Sequence, residues 1–79
     1  MNIQEAESLA AELKSRYQDG MFFGDIYLNP QDMSSPETEY DVYLEYEGVL
    51  NLEKVGELVT DFPLHTITIA SQTRQIIIQ

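Results

Sequence analysis

Glu37-Thr38-Glu39-Tyr40-Asp41-Val42-Tyr43-Leu44-Glu45-Tyr46-Glu47 is the stretch whose reading decides the fold. With the two-residue period of a β-strand, Glu37, Glu39, Asp41, Tyr43, Glu45 and Glu47 fall on one face, and Tyr40, Val42, Leu44 and Tyr46 on the other. The first face is a ladder of carboxylates around a tyrosine; the second has the composition of a core. Alternate strand positions lie roughly 6.8 Å apart. The ladder is therefore a regular anionic row, as a nucleic-acid backbone also is.

On the N-terminal side, Met21 to Leu28 alternates in the same way, with Phe22, Gly24, Ile26 and Leu28 on one face and Phe23, Asp25 and Tyr27 on the other. Gly24 inside this run marks a bulge. Between the two runs, Asn29-Pro30-Gln31-Asp32-Met33-Ser34-Ser35-Pro36 has the composition of a loop, so the pair reads as a long hairpin. A loop of this length is expected to be mobile or functional, with Met33 exposed at its tip.

On the C-terminal side, Asn51 is an N-cap and Leu52, Val55, Leu58, Val59 and Phe62 recur at helical spacing up to Pro63, predicting a helix over 52–61. Gly56 weakens that helix unless its small size serves close packing against another helix. At the far N-terminus, Asn2 with Glu5 three residues on resembles a capping box. Ile3, Ala6, Leu9, Ala10, Leu13 and Tyr17 follow at helical spacing, predicting a helix over 3–17 stopped by Asp19-Gly20. The chain ends in two short β-like runs, His65–Ala70 and Gln75–Gln79. Ile67, Ile69, Ile76 and Ile78 share a face only if the intervening loop has an even number of residues. Ser71-Gln72 lacks the Asn-Gly chemistry of a two-residue turn, so four are expected.

The expected order is αββαββ: one α+β domain over 1–79, a four-stranded antiparallel sheet with two helices on one face. Glu12–Tyr17 faintly echoes Glu57–Phe62 across the two αββ units. The helix-free face would carry Asp25, Tyr27, Asp41, Tyr43, Glu45 and Glu47, with Phe23 and a field of Thr and Gln beside them. All these side chains are expected to point to water.

Composition narrows the function. The 79 residues hold fourteen acids and four bases, a formal charge of -10, with 43% hydrophobic residues including eight aromatics. That is enough apolar material for a core. Lys14, Arg16, Lys54 and Arg74 are too few and too scattered to form a phosphate footprint, so neither nucleic acid nor an anionic membrane is an expected direct partner. The natural partner is a basic protein or ribonucleoprotein surface. A monomer is expected, and self-repulsion among its acids predicts a stability that rises with salt. The absence of cysteine suits a reducing compartment, and the acidic N-terminus reads unlike a signal peptide, so a soluble cytoplasmic protein is expected.

No hydrolase, phosphate-binding or zinc-protease motif is present, and the single histidine, His65, has no local catalytic partner. The sequence therefore predicts a non-enzymatic protein with no cofactor and no metal site. The acids of the ladder have a plain alternative, protection of an edge strand against aggregation. Their clustering without a base, beside Tyr27 and Tyr43, points instead to a binding face, with Asp25, Asp41, Glu45 and Glu47 supplying charge and the tyrosines anchoring.

In size, acidity and α+β layout the whole chain resembles the small phage-encoded proteins that imitate nucleic acid, including some anti-CRISPR proteins. The resemblance implies a stoichiometric inhibitor that occupies a basic DNA- or RNA-binding channel. An immunity protein or antitoxin capping a basic nuclease toxin uses the same physics, and a generic small interaction domain is the third reading.

Overall fold

The computed structural model describes residues 1–17 and 24–79. The predicted stop at Asp19-Gly20, and Phe22 and Phe23 at the start of the first β-like run, lie outside these residues. The element order is α1 (Ile3–Arg16), β1 (Ile26–Pro30), β2 (Tyr40–Glu45), α2 (Leu52–Asp61), β3 (Ile67–Ala70) and β4 (Gln75–Ile78). This is the expected αββαββ fold, with both helices on one side of a four-stranded antiparallel sheet.

Both helices begin at asparagine caps. Asn2 Oδ1 accepts the Glu5 amide at 2.8 Å, and Asn51 Oδ1 accepts those of Glu53 and Lys54 at 3.1 and 3.3 Å. Each satisfies amide donors that a first helical turn leaves without intrahelical partners. Helix α2 ends at Asp61, before Pro63, which has no N–H with which to continue. Glu5 in the first turn of α1 and Lys14 and Arg16 in its last complement the helix dipole.

The sheet runs in the order β1-β2-β4-β3, so the acidic strand is internal. The second hairpin pairs Ile67 with Ile78 and Ala70 with Gln75, leaving the expected four-residue loop, Ser71 to Arg74. Arg74 takes a positive φ of 55° to close it. In the first hairpin Ile26 pairs with Leu44 and Pro30 with Tyr40. The expected bulge is present: the Gly24 amide donates to the Glu45 carbonyl while the Glu45 amide donates to that of Asp25 at 2.8 Å, so two residues face one.

One core joins every element. Val42, Leu44, Ile76 and Ile78 supply its sheet side, Ala6, Leu9, Ala10 and Leu13 come from α1, and Leu58 and Phe62 bring in α2. Arg16 ties the helices together, donating to Glu12 and Asp61 at 2.8 Å each and lying 5.3 Å from the Phe62 ring centroid.

Helix α2 departs from expectation. Of its predicted stripe only Leu58 and Phe62 are buried; Val55 is half-covered, and Leu52 and Val59 are 73% and 51% exposed. A stripe read at helical spacing marks what is able to be buried, whereas the approach of the helix to the sheet decides how much of it is. Among the described residues nothing lies close to a Cβ placed at Gly56, so close packing against them does not account for it.

The 31–39 loop carries its own hydrogen bonds. Asp32 Oδ1 accepts from the Ser34 amide at 3.0 Å and the Ser34 hydroxyl at 2.7 Å, and the Asp32 amide donates to Thr38 Oγ1 at 2.8 Å. The serine donors hold the Asp32 carboxyl below its ordinary pKa. Met33 is exposed, as expected of the tip.

Candidate functional site

The registers settle which side chains share the helix-free face. Across the sheet, Tyr27 of β1, Tyr43 of β2, Ile77 of β4 and Thr68 of β3 form one row. Asn29 and Asp41 begin the row on one side of it, and Glu45, Gln75 and Ala70 lie on the other, with Asp25 at the bulge opposite Glu45. Glu47 is exposed just past the end of β2. Four of the six expected site residues therefore gather at the middle and one end of this face, Asp25, Tyr27, Tyr43 and Glu45, while Glu47, the fifth, lies beyond the strand end. No lysine or arginine occupies a strand position on it.

The sixth, Asp41, corrects the expectation. It shares the face but is only 6% exposed, and its carboxylate is spoken for: Gln31 Nε2 donates to Oδ1 at 2.7 Å and Gln79 Nε2 to Oδ2 at 3.3 Å. A carboxylate this enclosed needs donors to replace the water it lost. Asp41 thus staples the first loop to the end of β4 and is no exposed rung of the ladder. Beyond it, Glu39 lies 3.2 Å from the Met1 amino group, so the row of charge is broken here as well.

At the centre, the Tyr27 and Tyr43 rings lie 5.6 Å apart at 32°. Gln75 Nε2 donates to Tyr27 Oη at 2.6 Å, which draws the phenol of an edge strand across β2 toward β4. Partial burial, then the negative charge of Glu45, pushes the Tyr27 pKa up. The result is a fixed aromatic pair flanked by the Asp25 and Glu45 carboxylates. Such a pair offers flat apolar area at little further entropic cost on binding, within a field that favours cations.

Three contributors were missed individually: Gln31, Gln75 and Gln79 hold Asp41 and Tyr27 in place. The alternation of β4 puts Gln75 and Gln79 on this face, but only the strand order sets them opposite an acid and a phenol. His65 takes a structural position, its Nδ1 donating to the Gln79 carbonyl at 3.2 Å and its ring edge-on to Phe62. Among the described residues no three His, Asp or Glu side chains converge as a cation site would need, and no helix is long and apolar enough to cross a membrane.

No family model, no curated protein sequence and no solved structure matches the chain. The functional reading therefore rests on the site.

Proposed function

We propose that the protein is a non-enzymatic acidic binding module, whose helix-free sheet face docks on a basic, nucleic-acid-binding surface of a partner protein or ribonucleoprotein and thereby inhibits it as a nucleic-acid mimic. One observation carries the reading: the acidic strand is internal, between β1 and β4. Guarding an edge is the ordinary reason for charging a strand, and β2 has no free edge to guard. Neighbouring like charges such as Asp25 and Glu45 cost stability, so their retention on a baseless face beside a tyrosine pair favours recognition of cations. Arginine-rich surfaces suit this arrangement, since guanidinium groups both pair with carboxylates and stack on phenol rings.

The test begins with capture of a partner from host lysate and a check that the captured protein releases its own nucleic acid when this chain binds. The triple reversal Asp25→Lys, Glu45→Lys, Glu47→Lys is then expected to weaken binding by on the order of 100-fold, mostly through slower association. Asp41 is left intact because reversing it would break the Gln31–Gln79 staple and confuse folding with binding. Glu5→Gln with Glu7→Gln on α1 should change little. Equal losses in both variants would reduce the effect to net charge, and no loss in either would remove the sheet face from the interaction. A nuclease toxin as the captured partner would select the immunity-protein form of the same recognition.

A further inference from the structure

The two outer edges of the sheet are built differently. On β1, the bond from the Glu45 amide to the Asp25 carbonyl, together with the Asn29–Asp41 register and the Gln31-to-Glu39 bond, shows that odd-numbered residues turn their amides inward. Ile26, Leu28 and Pro30 therefore face outward, and Pro30 has no N–H to offer there. With the Gly24–Asp25 bulge at the other end, this edge is guarded.

The β3 edge has none of these devices. Thr66 and Gln79 exchange both backbone bonds, at 3.2 and 2.9 Å. By the antiparallel alternation Thr68 and Ala70 also turn inward, which leaves the N–H and C=O groups of Ile67 and Ile69 on the outside. Among the described residues no strand pairs with them. The strand has no proline, bulge or charge. Its core-side cover is incomplete, since Ile69 is 41% exposed while its neighbour Ile76 is fully buried.

Charge says what covers this edge. From Phe62 to Gln79 the chain has no Asp or Glu, although it carries fourteen acids in all. Two copies at a formal -10 each repel wherever their acids approach. The acid-free hairpin is where they can meet. We infer that β3 pairs antiparallel with β3 of a second copy about a two-fold axis at Thr68, giving a continuous eight-stranded sheet. Ile67 then faces Ile69 of the other copy, the outward groups of both exchange their hydrogen bonds, and isoleucine meets isoleucine on the core side. A pairing centred on Ile67 or Ile69 would use fewer of these groups. The pairing departs from the expected monomer, and it is compatible with the net charge because repulsion depends on where the acids lie. It is independent of the proposed function, since its test reads mass and crosslinking without any partner.

Sedimentation equilibrium of the full chain should show concentration-dependent assembly toward twice the 9.1 kDa chain mass, strengthened by salt as the charges are screened. Ile69→Lys should give a monomer with an unchanged circular dichroism spectrum. Thr68→Cys should crosslink readily under mild oxidation, because the two copies of residue 68 form a non-hydrogen-bonded pair with Cα atoms about 4.5 Å apart, within disulfide reach. Thr66→Cys should not crosslink, its two copies being separated by roughly 13 Å along the strands. A monomer at millimolar concentration in about 1 M salt, where the Debye length is about 3 Å, overturns the inference, including the case in which a strand from another protein takes the edge. A dimer that survives Ile69→Lys, or that crosslinks equally through residues 66 and 68, overturns it too.

Discussion

The two hairpins of this sheet share a geometry and differ in almost everything that governs encounters with other molecules. Between Asp25 and Glu47 the first carries seven acids and no base, its loop is tied by Asp32 and Thr38, and its outer strand has a bulge and a proline. The second closes with a four-residue loop, has no acid, and leaves its outer strand bare. An antiparallel sheet fixes backbone pairing and one buried face but leaves the solvent face and the edges free to specialise. Here charge collects on one hairpin and an uncharged edge on the other.

The largest expected effect breaks the comparison by asking whether the hairpins are separate units. Leu44 and Ile76, paired across the β2–β4 seam, are both fully buried. Leu44→Ala should lower stability by about 2–5 kcal/mol in denaturant unfolding, and amide exchange should accelerate in both hairpins together. Persisting protection in β3 and β4 would mean that the second hairpin folds by itself.

A smaller effect sharpens the contrast within the acidic face. Asp41→Ala leaves the Gln31 and Gln79 amides without their acceptor and should cost about 1–3 kcal/mol. Glu45→Gln, four residues along the same strand and on the same face, should stay within about 0.5 kcal/mol of the parent. Equal melting shifts in the two variants would contradict the separate roles assigned to these acids.

Helix α2 offers a gain of similar scale to the lower of those losses. Gly56 sits in the helix with no described residue close to its Cβ position and no positive φ, so Gly56→Ala should stabilise by up to about 1 kcal/mol. A loss would reveal a neighbour that needs the glycine.

The smallest effect is alkaline and belongs to the first hairpin, since β3 and β4 contain no tyrosine. Burial and then Glu45 raise the Tyr27 pKa, so the folded state holds that proton more tightly than the unfolded chain does. The contribution is whole below pH about 10, the unfolded pKa, and is lost as pH rises through the higher folded value. Tyr17, the C-cap of α1, is raised as well, by burial and then Asp61. Tyr27→Phe should remove part of the stability decline above pH about 10, followed by thermal melting at each pH; an unchanged decline would assign it to Tyr17.

By itself the sequence determined the element order, both helix caps, the even loop of the second hairpin and the faces of β2. Each follows from spacing along the chain: Asn2 and Asn51 sit one residue before helical stripes, and Ile67, Ile69, Ile76 and Ile78 reach one face only in one register. It also placed Asp25, Tyr27, Tyr43 and Glu45 on a common face, because strand alternation is local. Only the tertiary structure decided that β2 lies inside the sheet, that Asp41 is enclosed by Gln31 and Gln79, that α2 leaves Leu52 and Val59 in solvent, and that β3 is a bare edge. These depend on which strands become neighbours and how closely a helix approaches them. Periodicity says which way a side chain points and is silent about what it meets there.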